Sequence, residues 1–472
     1  KAEILRGDYD LFEPAKGEIV FEPFWYRTFR YIRLDIETAQ EELFIKSCGY
    51  RETGYPLVII GHFQSSDEYS KKLWEISVRT LKRCMFETFI DCPYYEQLQY
   101  IMDTRLQALY SYQISADNRL ARKAIDDFRR SLTPDGLLQS RYPSMQMQII
   151  PAYSLHWIYM LKEYWMYYGD LELIKRCRPV MDCILDWYDR KITDTGLVGR
   201  TGYWSFIDWV QGWDMDSIPT ANRAGPMTMD TLMYIKALQD AALLNNASGR
   251  DGIAKEYLDR AYLASEAVRK YCWDEEKGLF TDGPGVMEYC QHTQVWSVLS
   301  GVMRGTLARK VMKKAIDDHM PKMSYAATYF LCRALEITGL YNEYYGQLWK
   351  PWKEMINLKL TTWVEDPVTQ RSDCHGWGAL PLYEFASMIL GVKPASTGYE
   401  AILIQPYTCN LYFAKGTVAT IHGPVDVSWN IRKSTFTIKI TGPTEIPVKL
   451  CLPDGSVREV QGGRFEAMCM IP

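Results

Sequence analysis

Two short stretches of this chain are best equipped for chemistry: Asp91-Cys92-Pro93-Tyr94-Tyr95-Glu96 and Thr361-Thr362-Trp363-Val364-Glu365. Each ends on a glutamate and carries aromatic residues. Between them run paired helical patterns and several Trp-rich loops. Two carboxyls facing each other across an aromatic-lined cleft can cleave a glycosidic bond. One gives a proton to the leaving oxygen while the other activates water or attacks.

The residues around each glutamate allow structural readings as well. Asp91 precedes Cys92-Pro93, where proline ends an extended approach, so Asp91 also reads as the N-cap of a following helix. Glu96 then falls in a first helical turn, where the helix dipole favours a carboxylate. Asp103 comes two turns later on the same face. Three acids on one stripe repel one another, which is useful only in a cleft that must keep one of them protonated. The stretch from Trp363 to Trp377 carries Glu365, Asp366, Arg371, Asp373 and His375 in a long irregular loop. Loops of that content between rigid helices bind more often than they pack, although Glu365 also reads as a solvated acid and His375 as a satisfied structural imidazole. A third stretch, Tyr203 to Asp214, sets Trp204 and Trp209 about Asp208, with Trp213 close behind. Its indoles offer stacking faces for sugar C–H groups and Asp208 offers acceptors for hydroxyls; ordinary core aromatics are the alternative.

Three blocks must position these residues. Residues 1–65 read as strands, with Phe24 to Leu34, Leu43-Phe44-Ile45 and Leu57-Val58-Ile59-Ile60 as apolar runs, and so as part of a β-sandwich. From Ser65 the period becomes helical, and residues 66–393 hold about twelve helical segments, among them 68–87, 95–113, 151–168, 226–247, 291–301 and 375–391. Gly169-Asp170, Gly196-Leu197, Gly278-Leu279 and Gly339-Leu340 punctuate them. Successive antiparallel hairpins of that number can close into a mainly α toroid with inner and outer rings. Residues 394–472 return to period 2, notably at Val425 to Trp429 and Thr435 to Ile440, and read as a C-terminal β-sandwich with a hairpin at Pro453-Asp454-Gly455.

Composition narrows the partners. The 472 residues are 47% hydrophobic and 24% charged, with net charge −4 and no long basic run, which argues against nucleic acid and anionic membrane. No apolar run approaches the roughly 20 residues of a membrane span. No leader pattern is present, but the chain begins at Lys1 rather than Met, so export stays open. The expectation is a soluble protein of a bacterial periplasm or cytoplasm. The 12 cysteines form no CxxC pair and no zinc-like spacing, and read as reduced buried thiols.

Together the three stretches resemble the bacterial α-L-rhamnosidases of the glycoside hydrolase 78 type. Their signature is Asp-Cys-Pro-x-Arg-Asp-Glu-Arg-x-Gly-Trp-x-Gly-Asp. Asp91-Cys92-Pro93 matches its opening, and with one deletion Glu96 falls on its Glu and Asp103 on its last Asp. Ile207-Asp208-Trp209 resembles a family Gly-Asp-Trp segment, and Thr362 to Trp377 its Trp-Glu and His-containing segments. The order of parts also matches: β-sandwich, (α/α)6 barrel of six hairpins, C-terminal β-sandwich. The signature Arg is absent, with Tyr94-Tyr95 in its place, and Val364 intervenes between Trp363 and Glu365. The resemblance implies an inverting glycosidase that removes terminal α-L-rhamnosyl residues. Glu96 is then the general acid and Glu365 the general base; Asp91, Asp103, Asp208 and His375 bind sugar hydroxyls; Trp204, Trp209, Trp363 and Trp377 form walls. It implies a carbohydrate substrate and no cofactor, and no ligand cluster argues for calcium or another metal.

Two other readings stay open. Toroids of this kind also host polysaccharide lyases and enzymes on other sugars, which release of an ultraviolet-absorbing unsaturated product distinguishes from hydrolysis. The missing signature Arg is the feature that motivates a catalytically decayed glycan-binding protein, which would bind without turnover.

Overall fold

The computed structural model describes residues 9–29, 31–213, 219, 225–317, 319–367 and 371–471. The chain divides into two units, Lys1–Thr53 and Gly54–Pro472.

The described residues of the first unit contain no strand. The β-sandwich pairing expected there, at Phe24 to Leu34 and at Leu43 to Ile45, is therefore corrected among the described residues. The alternation is real, but a strand needs a neighbour for its backbone groups and an apolar layer for one face. Neither is present within the unit: Phe24, Tyr31, Phe44 and Tyr50 are exposed. Local ties hold it instead, such as Arg27–Asp10 at 2.8 Å and a Phe12–Phe21 ring pair at 4.7 Å.

In the second unit, Leu57 to Ile60 also form no strand. The Ile60 and Gly61 amides donate to the Ile114 carbonyl at 2.9 and 3.0 Å. A Cβ on Gly61 would lie 2.7 Å from Ile114 Cα, so only glycine allows this approach. The strand follows instead as β1 (His62–Ser65).

The helices are α1 (Ser70–Arg83), α2 (Ile101–Ile114), α3 (Arg119–Arg130), α4 (Pro151–Tyr168), α5 (Leu171–Asp189), α6 (Thr228–Ala247) and α7 (Asp251–Cys272), then α8 (Gln291–Leu299), α9 (Gly305–Asp317), α10 (Thr328–Ile337), α11 (Tyr341–Leu348), α12 (Lys350–Asn357) and α13 (Pro381–Glu384). A short β2–β3 hairpin (Trp273–Asp274, Leu279–Phe280) separates α7 from α8. The 3₁₀ turn Gly376–Ala379 leads into α13, which runs on as a π turn, Phe385–Ile389. Two kinds of helix alternate. All fourteen residues of α2 are buried, whereas α3 buries only one stripe, Leu120, Ala121, Ala124, Ile125 and Phe128. A helix apolar on one stripe lies outside, and one buried all round lies inside. The inner ring is α2, α4, α6, α8, α10 and α13. Successive members touch from α2 to α10, α13 returns to α2, and the ion pair between Arg333 of α10 and Glu384 of α13 joins the last two. The toroid expected from the sequence is thus closed.

Punctuation is locally readable. Pro151 opens α4, and Gly169 ends it in the left-handed region (φ 70°), its amide returning to the Trp165 carbonyl. The Asp170 side chain then caps α5 by accepting from the Leu173 amide at 2.9 Å. Two ion pairs lie inside the ring: Arg105 reaches both Glu163 oxygens (2.8 and 2.6 Å), and Arg333 reaches both Glu384 oxygens at 2.7 Å.

The C-terminal block is two sheets. One has the order β1-β6-β7-β8-β11, with β6 (Phe413–Val418), β7 (Val425–Arg432), β8 (Thr435–Thr441) and β11 (Arg464–Met470), antiparallel throughout. The other has the order β10-β9-β5-β4, with β4 (Val392–Pro394), β5 (Ile402–Ile404), β9 (Val448–Cys451) and β10 (Val457–Val460). Strand β1, which leads into the helical ring, pairs with β6 (Phe63 opposite Gly416).

Candidate active site

The acidic residues gather at one end of the ring, where the inner helices begin. Asp103 lies in the first turn of α2, and Asp91 and Glu96 lie in the loop before it. That loop is not helical, contrary to the helix expected from residue 95. Gln97 takes φ 55°, a left-handed conformation a helix cannot contain. Nor does Asp91 cap α2. Its amide donates to the Leu98 carbonyl and its Oδ1 accepts from the Leu98 amide, both at 2.9 Å, so the loop folds back on itself. Tyr100 takes the cap position.

The second acidic stretch is stitched to the first. The Gly376 amide donates to the Asp91 carbonyl at 2.8 Å. A Cβ at Gly376 would sit 2.3 Å from the Gln107 side-chain amide, so any larger residue here must displace that amide. The Glu365 amide donates to the Ser372 carbonyl and the His375 amide to the Trp363 carbonyl, both at 2.8 Å. The Trp377 indole N–H donates to the Glu365 carbonyl at 2.7 Å. These bonds seat Glu365 and His375 beside Asp91, Glu96 and Asp103.

The electrostatics follow from burial. Desolvation, then the Glu96 charge, pushes the Asp91 carboxyl up to about 7. Desolvation, with Asp91 next, pushes Asp103 well above the usual carboxylate range. Burial raises Glu365, opposed by the Ser372 hydroxyl and by Arg371. Burial and the Arg371 charge push His375 well below its ordinary value, so its imidazole is neutral. His375 Nε2 stands 3.8 Å from both Asp91 Oδ2 and Asp103 Oδ1, and its buried Nδ1 has no protein partner. Its ring stacks on Trp377 at 3.8 Å. Close, buried and under-bonded carboxyls cannot all ionise together. Such a group can both donate to and accept from a hydroxyl.

The Asp208 stretch joins this site through aromatic rings. Trp204 and Trp209 contact Phe206 (5.3 and 5.1 Å), Phe206 contacts Tyr153 (6.3 Å), and Tyr153 contacts Tyr100 (6.3 Å). The Tyr153 phenol is raised by burial and by the charges of Asp103, Glu96 and Asp208, which places it among all three. Asp208 is fully buried and already bonded. It accepts from its neighbour's amide (Trp209, 2.8 Å), from His292 Nε2–H (2.8 Å), from the Ser324 amide (2.8 Å) and from the Ser324 hydroxyl. The expectation that it binds sugar hydroxyls is corrected: those acceptor positions are taken by protein donors, and the residue holds the Trp204–Trp209 stretch against α8 and the loop before α10. Trp363 is likewise no wall. It is wholly buried, donates to the Ser77 hydroxyl at 2.9 Å, and leaves only 2.5 Å between its Cβ and a Cβ on Gly378. Trp377 is buried as well and backs His375, while Trp204 and Trp209 are half-buried. Asp214 lies outside the described residues.

Sequence reasoning missed Tyr100, Tyr153, His292 and the part played by Arg371. Arg371 Nη1 lies 2.7 Å from Glu96 Oε1. Burial, then the Glu96 charge and hydrogen bond, raise the Tyr100 phenol, and its oxygen accepts from Arg141 at 3.0 Å. Only the Tyr-Tyr-Glu run and the richness of residues 363–377 hinted at them. Among the described residues no group of three or more His, Cys, Asp or Glu is arranged to hold a metal, and no helix is long and apolar enough to cross a membrane.

A closed ring of helical hairpins with acids clustered where its inner helices begin defines the class: a six-hairpin glycosidase fold. Residues 59–385 match the bacterial alpha-L-rhamnosidase six-hairpin glycosidase domain, and residues 391–465 match the bacterial alpha-L-rhamnosidase C-terminal domain. The chain belongs to the bacterial α-L-rhamnosidase family. It is similar to an alpha-L-rhamnosidase of Alteromonas sp. (strain LOR), 22% identical over 94% of this chain and 50% of that protein. The GH78 family rhamnosidase of Bacillus sp. GL1 superposes with a TM-score of 0.79 at 29% identity, over 85% of this chain and 44% of that one. The Streptomyces avermitilis alpha-L-rhamnosidase complexed with L-rhamnose shares the fold, with a TM-score of 0.74 at 19% identity over 88% and 43%. The chain thus spans about half the length, or less, of these relatives.

Proposed function

We propose that the chain carries the catalytic domain of a glycosidase that removes terminal α-L-rhamnosyl residues with inversion, with Glu96 as general acid and Glu365 as general base. The observation that carries this is the convergence of Asp91, Glu96, Asp103, Glu365 and neutral His375 at one end of a ring whose family is established. Glu96 protonates the glycosidic oxygen as the bond breaks. Glu365 takes a proton from the water that attacks the anomeric carbon on the opposite face. An inverting pair leaves about 6.5–9.5 Å between its carboxyls for that water. Asp91, Asp103 and His375 bind the sugar's hydroxyls, their raised carboxyls serving as donors as well as acceptors. Trp204 and Trp209 stack on its apolar face, with Trp377 as the backing of His375. Asp208 positions the aromatic stretch.

The test is release of nitrophenolate from 4-nitrophenyl α-L-rhamnopyranoside beside a panel of other α-L- and β-D-glycosides. Turnover of the rhamnoside at least tenfold above every other sugar is expected. Preference for a different sugar overturns the substrate assignment, and a product with an unsaturated chromophore overturns hydrolysis.

A further inference from the structure

Arg371 differs from Arg105 and Arg333 of the inner ring. Arg105 is buried and binds the Glu163 carboxylate through two nitrogens, and Arg333, largely covered, reaches both Glu384 oxygens through one nitrogen. The Arg371 side chain is 42% exposed and reaches Glu96 Oε1 at 2.7 Å. Its guanidinium also lies 5.6 Å from the centre of the Tyr95 ring. Glu96 and Glu365 are the two charges that most strongly favour its cation, and it opposes the burial that raises Glu365. One guanidinium therefore serves both members of the acid–base pair.

The contact with Glu96 has a consequence for the chemistry. A general acid must turn its carboxyl to the leaving oxygen, and a guanidinium bound to that carboxyl holds it elsewhere. A planar fork of five N–H donors on a half-exposed side chain is also suited to receiving hydroxyls from solvent. We propose that Arg371 is a positioning residue that tethers Glu96 until the glycoside binds and then exchanges that tether for a sugar hydroxyl. Glu96 is then free to turn to the leaving oxygen only with substrate in place. Sugars lacking a hydroxyl at that position leave the tether closed. The inference rests on the acid–base reading given under Proposed function.

The experiment compares the full chain with R371M and R371K. It uses calorimetry with L-rhamnose, separate kcat and KM on 4-nitrophenyl α-L-rhamnopyranoside, and the pH profile of kcat/KM. R371M is expected to bind L-rhamnose roughly 10- to 100-fold more weakly, the loss of one charge-assisted hydrogen bond. Its acidic limb is expected to move to higher pH. Glu365 loses the cation that offsets its burial, while Asp366, Glu96 and Asp103 still face it and only the Ser372 hydroxyl still stabilises its charge. R371K restores the limb, which needs only charge, but not the affinity, which needs the fork. Unchanged thermal unfolding of both variants shows that the half-exposed side chain is not a folding element. Wild-type turnover with R371M matching wild type in both affinity and acidic limb overturns this inference alone. A wild-type chain that neither hydrolyses the rhamnoside nor binds L-rhamnose overturns the acid–base reading and this inference with it.

Discussion

Asp91 and Asp208 are both buried aspartates at the same end of the ring, and they are treated in opposite ways. Asp208 accepts from two backbone amides, an imidazole N–H and a hydroxyl. Asp91 accepts from the Leu98 amide and is steadied by the adjoining Cys92, yet it faces His375 at 3.8 Å and has Asp103 and Glu96 as charged neighbours. A carboxylate saturated by fixed donors is a structural pin. One set among other acids resists ionising, at a cost in stability, which suits the hydroxyl-binding role proposed for Asp91. Trp363 and Trp209 repeat the contrast, the first sealed in the core and the second half-buried beside the aromatic path to Tyr100.

The largest expected effect separates the two candidate catalytic carboxyls from everything else. Glu365→Gln should lower kcat/KM on every rhamnoside by about 10³-fold, within the range for general acid–base catalysis. Glu96→Gln should do so on alkyl glycosides but fall far less on the nitrophenyl glycoside, whose leaving group needs little protonation. Equal losses of Glu96→Gln on both substrates would remove Glu96 from the acid role.

Stability divides the tryptophans. Trp363→Ala should cost about 3–5 kcal/mol of unfolding free energy, as loss of a wholly buried indole does. Trp209→Ala should leave the melting temperature nearly unchanged. Denaturant melts of the two variants check the pair.

The two aspartates should diverge next. Asp208→Asn turns an amide N–H₂ toward donors and should cost about 2–3 kcal/mol at neutral pH. Asp91→Asn replaces a carboxyl that burial already resists ionising. The sign follows from its raised folded value. Between its ordinary value near 3.8 and about 7, the folded chain holds a proton that the unfolded chain has lost. Folding is thus favoured as pH falls through that window and eroded as pH rises through it, by on the order of a few kcal/mol. Asp91→Asn removes this dependence, so its melting temperature relative to wild type should climb from pH 4 to pH 7. A flat or falling difference would show that Asp91 is ionised without penalty.

The smallest effect belongs to the stacking wall. Trp209→Ala and Trp204→Ala should each raise KM several-fold, about 1 kcal/mol, with kcat little changed. A fall in kcat with KM untouched would place the rings at the reacting centre instead.

Local rules made much of this legible. Gly169-Asp170 ends one helix and caps the next as residue chemistry dictates, and an all-buried α2 beside a one-striped α3 sorts the rings. What escaped depended on distant partners. Alternation at Phe24 to Leu34 signals an apolar face but not whether a partner strand exists. Strand β1 finds its partner in β6, at the far end of the sequence. Helix α2 begins at Ile101 rather than near residue 95 because Asp91 binds the Leu98 amide and Gln97 turns left-handed, neither of which periodicity reports. Asp208 looked like a ligand because His292 and Ser324, which occupy it, lie far along the chain. Arg371 was visible as one charge in a rich loop, and its contact with Glu96 required the fold.

The central claim is that Glu96 and Glu365 act as an inverting pair on an α-L-rhamnoside. It is tested most directly by following the anomeric proton of the first sugar released, with Glu365→Gln run in parallel. Initial β-L-rhamnose from the wild type and negligible release from the variant is the predicted result. Initial α-L-rhamnose, or undiminished turnover by Glu365→Gln, would contradict it.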